Sequence, residues 1–115
     1  MAEEGYIIVL VTASSVEEGE RIASVLLERK VAACVNITGG IRSLFWWEGK
    51  IDRAHEVLLI IKSKAALLEK VIGLVKENHS YDVPEVIALP VIGGSKAYLE
   101  WMEGVIPPAG DDEPT

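Results

Sequence analysis

Unbroken apolar runs and helix-period repeats alternate along this chain. Residues 6–12 form a continuous β-branched and aliphatic run, which predicts a strand covered on both faces. Two serines and two glutamates follow at capping-box spacing, and apolar residues then repeat at helical spacing to about Lys30. Residues 31–38 predict a second strand, with odd-numbered and even-numbered side chains on opposite sides.

The middle of the chain predicts a long, bent hairpin. Gly39-Gly40 bends or bulges the second strand, residues 41–47 continue it, and Glu48-Gly49 makes the turn. From Ile51 the chain returns to the apolar run at residues 56–61. Such a hairpin can project beyond a compact domain. Trp46 and Trp47 adjoin the turn on opposite faces, so at least one of them is expected to be an intersubunit anchor.

The last third of the chain predicts a helix, a strand and a second helix. Helical spacing runs from Lys64 to Asn78, an apolar strand covers residues 86–92, and a short helix follows Gly93-Gly94-Ser95. Its Tyr98 and Trp101 share one face and are expected to pack. We expect one domain over residues 1–105. Residues 106–115, which hold three of the five prolines and an acidic cluster, are expected to form a disordered tail.

The order β-α-β-β-α-β, followed by a C-terminal helix, predicts a ferredoxin-like α/β sandwich of the α+β class. In this fold the sheet is mostly antiparallel and both main helices cover the same face. The strands ending at Val11, Ile61 and Ile92 are nevertheless apolar on both sides. The uncovered face would expose a large apolar patch, so we expect other subunits to cover it.

Composition and charge narrow the classes of function. Half of the 115 residues are apolar, which suits one domain with a substantial core. No apolar run reaches the roughly 18 to 20 residues of a membrane helix, and the N-terminus is acidic where a signal peptide would be basic. The sequence therefore predicts a cytoplasmic protein that does not associate with a membrane. The one cysteine, Cys34, cannot form an internal disulfide.

The net charge of −7 is concentrated at the chain ends. Five of the eighteen acidic residues are terminal: Glu3, Glu4, Asp111, Asp112 and Glu113. Thirteen acidic residues therefore face eleven basic ones in the rest of the chain, which has no basic stripe. Nucleic-acid binding is disfavoured, because it depends on clustered positive charge.

The segment Asn-His-Ser-Tyr-Asp-Val-Pro-Glu at residues 78–85, the 78–85 loop, gathers most of the reactive side chains. It joins a predicted helix to a predicted strand, and such connections often carry function. His79 is compatible both with a ligand role and with a cation at the C-terminal end of the helix dipole. For Tyr81 and Glu85, an interface hydrogen bond and a ligand contact both stay open.

Copper and zinc prefer thiolate and imidazole, and tight sites usually need three or four such ligands. This chain has Cys34, His55 and His79, without a CxxC, HxxxH or His-rich motif. Cys34 is expected to be a buried core thiol and His55 a surface or interface residue. A complete coordination shell would require other subunits or the carboxylates of Asp82, Glu56 and Glu85. No catalytic motif is present, so the sequence does not predict an enzyme.

Several segments together resemble the CutA family of divalent-cation tolerance proteins. They are Val-Thr-Ala at 11–13 with Ile-Ala at 22–23, Val-Ala-Ala-Cys-Val-Asn-Ile at 31–37, Ser-Leu-Phe-Trp-Trp-Glu-Gly-Lys-Ile at 43–51, Glu-Val-Leu-Leu-Ile-Ile-Lys at 56–62, His-Ser-Tyr-Asp-Val-Pro-Glu-Val-Ile-Ala-Leu-Pro at 79–90 and Tyr-Leu-Glu-Trp at 98–101. The segments follow the family order and span nearly all of residues 6–105.

The resemblance implies a ferredoxin-like homotrimer whose neighbouring strands extend each other's sheets. It also implies tolerance to heavy metals, copper in particular, with no established reaction and no required cofactor. Ser80 stands where the family usually has proline. Val11 and Asn78 stand where some members have a cysteine and a second histidine, so a three-ligand copper site would be reduced here to His79.

The resulting hypothesis is a homotrimer that binds copper or another divalent cation weakly through His79, with Asp82 as a weaker ligand. Two alternatives stay open. In the first, the trimer senses a nucleotide or other small molecule in the manner of PII proteins, and Lys62, Tyr81 and Glu85 line a cleft for it. In the second, the chain is a structural or interaction module without a small ligand.

Overall fold

The computed structural model describes residues 5–107, in which a four-stranded antiparallel sheet packs against helices. The strands are β1 (Tyr6–Ala13), β2 (Cys34–Trp47), β3 (Lys50–Lys64) and β4 (Val86–Pro90). The helices are α1 (Val16–Glu28), α2 (Leu68–Glu77) and α3 (Lys96–Val105), with a 3₁₀ turn at Ala65–Leu67 before α2. The strand order is β2-β3-β1-β4. This order and the element sequence confirm the predicted ferredoxin-like α+β fold.

The hydrophobic core lies between one face of the sheet and α1 with α2. Burial alternates along β1 and the second half of β3, as expected where every second side chain points at the helices. The central side chains of this core are fully or almost fully covered: Val9, Val11, Leu59 and Ile61 from the strands, and Ile22, Leu26, Val71 and Val75 from the helices. No helix among residues 5–107 is long and apolar enough to cross a membrane.

The opposite side of the sheet, called the open face here, is also apolar. Strand register places these side chains next to one another: Ile8, Leu10, Leu58, Ile60, Ile87 and Leu89. In the single chain, Ile87 is 51% exposed and Leu89 is 48% exposed. Helix α3 is held at one end of this face, where the Tyr6 hydroxyl donates to Glu103 at 2.7 Å. The predicted second apolar face is therefore present in the described chain.

Strands β2 and β3 form the long hairpin that the sequence predicts. The register shifts between Thr38 and Ile41, and Gly40 takes a φ of 76°, as expected for a bulge at the paired glycines. At the turn, Glu48 and Gly49 have φ values of 51° and 80°, which match a two-residue turn with left-handed central residues. The hairpin tip, residues 44–51, is exposed: Trp46 is 73% and Trp47 is 54% accessible.

Several element boundaries differ from the predicted ones. Helix α1 ends at Glu28, and Lys30 takes a left-handed φ of 59° while the Val31 N–H bonds to Leu26 O. Val31 and Ala32 are consequently both buried in a connection, and β2 begins only at Cys34. Strand β3 extends to Lys64 because it pairs with the whole of β1.

The C-terminal elements also end at different residues from those expected. Strand β4 stops at Pro90, and Ile92, which the pattern placed in the strand, is fully exposed. Ile106, predicted to begin the tail, is fully buried, and its N–H bonds to Met102 O. Residues 108–115 of the predicted tail lie outside the described residues.

Candidate functional site

The 78–85 loop folds back onto the end of β1 through His79. Its Nε2 lies 2.7 Å from the carbonyl oxygen of Thr12, and its Nδ1 lies 3.1 Å from the backbone nitrogen of Tyr81. Because a carbonyl can only accept and a backbone N–H can only donate, the hydrogen-bond network places the proton on Nε2. The imidazole side chain has no exposed surface. Both ring nitrogens therefore have hydrogen-bond partners, one on β1 and one in the loop.

The end of α2 is capped by the residue before the histidine. The Asn78 side-chain amide donates to Leu74 O at 2.8 Å, and the Asn78 backbone N–H donates to Val75 O. Arg21 of α1 donates to Asn78 O at 3.0 Å. The His79 ring instead bonds to β1 and to its own loop. The His79 ring therefore joins the loop to the sheet and makes no direct hydrogen bond to the end of α2.

Glu18 is a buried carboxylate that ties the start of α1 to the loop. Its Oε1 accepts from the Ser14 N–H at 2.8 Å and the Ser14 hydroxyl at 2.9 Å, and its Oε2 accepts from the Ser80 N–H at 2.6 Å. The helix begins here because the Ser15 hydroxyl accepts from the Glu18 N–H, the capping interaction that the sequence predicts. Burial alone would raise the pKa of Glu18, but the bonds from Ser14 and Ser80 outweigh it and lower the pKa to about 2.

The carboxylate oxygen that binds Ser80 also faces the imidazole. Glu18 Oε2 is 3.8 Å from His79 Nδ1 and 3.7 Å from the Arg21 guanidinium. An imidazole nitrogen and a carboxylate oxygen, both of which can bind a metal ion, thus lie side by side under the loop. Sequence reasoning did not single out Glu18 as a site residue. Its available signal was the capping-box spacing, which indicates a helix start without indicating that the carboxylate also binds Ser80, 62 residues away.

A second buried carboxylate, Glu56 of β3, holds the next residue of the loop. It accepts from the Ser43 hydroxyl at 2.5 Å and from the Tyr81 hydroxyl at 2.8 Å. Burial raises the pKa of Tyr81, and the Glu56 carboxylate raises it further, to about 12. The Tyr81 ring lies 4.7 Å from the His79 ring, centroid to centroid. The phenol therefore remains a hydrogen-bond donor and anchors the loop to the hairpin.

The second half of the loop has a different environment. Asp82 and Glu85 are exposed, and Val83 between them is 79% exposed. Within residues 5–107, no three His, Cys, Asp or Glu side chains are grouped closely enough to hold a metal ion. A cation at His79 would consequently receive at most two such side chains from one described chain. Water or another subunit would have to supply its remaining ligands.

The three residues predicted to line a small-molecule cleft do not meet within one chain. Lys62 lies at one end of the open face, where it pairs with Ile8, and its Nζ donates to the Asn36 side-chain oxygen. Tyr81 bonds to Glu56, six residues earlier on β3, which corresponds to roughly 20 Å along the strand. Glu85 lies in the exposed part of the loop. A cleft that contains all three would need two subunits.

The remaining candidates occupy other parts of the surface. Cys34, expected in the core, is only half-buried and pairs with Lys62 on the open face. His55 is exposed in the middle of β3, opposite Arg42. Tyr98 and Trp101 pack against each other with ring centroids 5.4 Å apart, yet each keeps more than two-fifths of its surface accessible. None of these positions adds a ligand to the His79 cluster.

Comparison with known families gives one assignment. The model of the family described as CutA1 divalent ion tolerance protein matches residues 7–105. The chain is 53% identical over 97 residues to Protein CutA 1, chloroplastic, of Oryza sativa subsp. japonica, covering 84% of this chain and 55% of the rice protein. It is 46% identical over 98 residues to the divalent-cation tolerance protein CutA of Archaeoglobus fulgidus, covering 85% of this chain and 95% of that one. The chain thus spans about half of the rice relative and nearly all of the archaeal one.

Solved structures show the same similarity in three dimensions. The crystal structure of CutA1 from Oryza sativa aligns with a TM-score of 0.89 at 47% identity, over 95% of this chain and 100% of that one. The structure described as the periplasmic divalent cation tolerance protein CutA from Archaeoglobus fulgidus gives a TM-score of 0.86 at 44% identity, over 89% of this chain and 99% of that one.

Proposed function

The chain belongs to the CutA1 family of divalent ion tolerance proteins, and on that premise we propose that it acts in divalent-cation tolerance as a homotrimer that binds copper or another divalent cation weakly through the 78–85 loop. His79 is the central ligand of this proposal, and Asp82 is a weaker one. No reaction and no required cofactor belong to it. We assign the trimer to the cytoplasm, in keeping with a chain that has a single cysteine.

The observation that carries the metal proposal is the position of His79 beside a carboxylate. Its Nδ1 lies 3.8 Å from Glu18 Oε2, so an ion between them could receive an imidazole nitrogen and a carboxylate oxygen. Such an ion must take the Nδ1 lone pair from the Tyr81 N–H, at a cost of about 0.5 to 1.5 kcal/mol for one hydrogen bond. Two protein ligands and a bond to be broken both favour weak binding.

The two exposed apolar surfaces support the homotrimer. The open face leaves Ile87 and Leu89 about half accessible, and the hairpin tip leaves Trp46 and Trp47 more than half accessible. A contact between the tip of one copy and the open face of the next joins two different surfaces, and such contacts close into rings when the rotation allows. Three copies arranged in this way would bury the tryptophans of each hairpin tip against the apolar residues of a neighbouring open face.

Copper(II) titration by calorimetry tests the metal proposal. Wild-type protein, His79→Ala and His55→Ala are titrated at equal protomer concentration, and each variant is checked for an unchanged sedimentation profile. We expect His79→Ala to weaken binding at least about tenfold, equivalent to about 1.4 kcal/mol, and His55→Ala to leave it unchanged. Asp82 is exposed, so Asp82→Asn should leave the buried hydrogen bonds intact and should weaken binding less than His79→Ala does. Equal affinity in wild type and His79→Ala would remove His79 from the site.

A thermal-shift screen separates the metal proposal from the nucleotide alternative. Copper, zinc, ATP and ADP are added separately to the intact protein, because a ligand that binds only the folded state raises its apparent stability. The metal proposal predicts a rise with metal alone. A rise with nucleotide alone, lost in Lys62→Met, would instead support an intersubunit cleft that contains Lys62.

A further inference from the structure

A second group of reactive side chains lies on the open face, at the end opposite the 78–85 loop. Cys34 of β2 and Lys62 of β3 are direct partners across the strand pair. The Lys62 Nζ is 3.8 Å from the Cys34 Sγ. The Tyr98 hydroxyl of α3 also interacts with the Cys34 side chain, and burial followed by this thiol raises the pKa of Tyr98. The chain's one thiol therefore lies against an amine and a phenol.

The strand register fixes the thiol and the amine near bonding range. Side chains directly opposite in an antiparallel pair have Cβ atoms about 4.5 to 5.5 Å apart. Lys62 is long enough to fold over this gap, and its Nζ is held near Cys34 by the hydrogen bond to Asn36. A covalent bond between Sγ and Nζ thus requires only a change of side-chain rotamer. The strands can keep their backbone hydrogen bonds.

We propose that Cys34 and Lys62 form a reversible nitrogen–sulfur cross-link when the protein meets a hydroperoxide. In the first step the Cys34 thiolate attacks a peroxide oxygen, the O–O bond breaks, and the departing hydroxide takes up a proton to become water. The product is a cysteine sulfenic acid. In the second step the neutral Lys62 amine attacks the sulfur, the S–O bond breaks, and the hydroxyl leaves as water with one amine proton.

The balance of this sequence is a two-electron oxidation of the sulfur and reduction of hydrogen peroxide to water. The protein loses two hydrogens and gains one S–N bond. Condensation of a sulfenic acid with nitrogen is known chemistry for backbone amides, and a side-chain amine is a stronger nucleophile. The link would remove the positive charge of Lys62 from the open face and protect the sulfur from irreversible oxidation. A thiol reverses it by attack on the sulfur.

Peptide mass spectrometry tests the proposal on the full chain. The protein is treated with hydrogen peroxide, blocked with iodoacetamide and digested with trypsin. We expect residues 31–42 joined to residues 54–64, because cleavage after Lys62 is blocked, with a mass two hydrogens below the sum of unmodified peptides 31–42 and 54–64. Dithiothreitol should restore both free peptides. In Lys62→Arg, which keeps the positive charge, the cross-linked pair should be absent and Cys34 should proceed to sulfinic and sulfonic acids.

A matched control lies two residues along the same strand face. Lys64 pairs with Glu103 at 3.1 Å, and Lys64→Arg should leave the yield of cross-link unchanged. A disulfide between two copies of the chain, a link to Lys64, or equal irreversible oxidation of wild type and Lys62→Arg would each overturn the proposal. Both arginine variants preserve charge, so a difference between them reports nucleophilicity and position. Their sedimentation profiles should match that of the wild type.

Discussion

Replacing Glu18 with glutamine should destabilise the folded chain by about 2 to 3 kcal/mol at neutral pH. The wild-type carboxylate accepts hydrogen bonds from Ser14 and Ser80 with almost no exposed surface. Glutamine has nearly the same shape but only one acceptor oxygen, and its amide group would face one of these donors. Leaving a buried donor without an acceptor costs about 1 to 3 kcal/mol.

The pKa of Glu18 gives an independent estimate of this cost. A fall from 4.5 to about 2 corresponds to about 3.5 kcal/mol in favour of the ionised folded state, at about 1.4 kcal/mol for each pH unit. Because the folded-state pKa is the lower one, this stabilisation is complete above about pH 5 and is lost as pH falls from 4.5 to 2. The free-energy gap between wild type and Glu18→Gln should therefore narrow over that acidic range.

Guanidinium unfolding measures the effect, with wild type and variants at one protomer concentration and at several pH values from 7 to 2. Glu17→Gln is the matched control, since Glu17 is the adjacent, exposed residue in the same helical turn. We expect it to cost only a few tenths of a kcal/mol through the helix dipole. A gap below about 1 kcal/mol for Glu18→Gln at pH 7, or a gap that does not change with pH, would refute the assigned role of Glu18.

Three further predictions concern the loop, the core and the hairpin tip. Tyr81→Phe should cost about 1.5 to 3 kcal/mol because it removes one of the two donors to the buried Glu56 carboxylate, and only Ser43 remains. Absorbance titration should show the wild-type phenol ionising near pH 12, and its stabilisation should be lost as the pH rises above 10. Gly19→Ala should destabilise the protein by about 1 kcal/mol, because the added Cβ would meet two buried β3 side chains at 3.2 Å. Gly73→Ala, which places its Cβ in open space on α2, should stabilise the protein by about 0.5 to 1 kcal/mol. Equal effects of the two variants in denaturant unfolding would contradict this packing. Trp46→Ala should shift the sedimentation profile toward smaller species, and an unchanged profile would exclude Trp46 as an intersubunit anchor.

Hydrophobic periodicity was sufficient for the architecture because each element buries one definite face. The strand order follows from the element order, and the bulge follows from Gly39-Gly40, where the register shift is observed. Boundaries were less accessible to this reasoning. Val31 and Ala32 have the composition of a strand but are buried by the turn after α1, and Ile106 lies among prolines yet fills a core position. These differences arise from tertiary packing, which local composition does not encode.

The location of the candidate site was predictable, while its hydrogen bonding was not. Residues 78–85 are recognisable in the sequence because they group polar side chains between two apolar segments. Their partners, Thr12, Glu18 and Glu56, come from three separate elements that are brought together only by the fold. For the same reason the sequence could not show that both nitrogens of His79 are engaged. Nor could it show that Tyr81 contacts β3 at Glu56, six residues along the strand from Lys62.

The most direct test of the metal proposal is anomalous diffraction from copper-soaked crystals of the intact assembly. We predict an anomalous peak about 2.0 to 2.1 Å from His79 Nδ1, with the Tyr81 N–H bond released and Glu18 or Asp82 turned toward the ion. His79 with both present hydrogen bonds intact, in crystals where copper occupies other positions, would contradict the proposal.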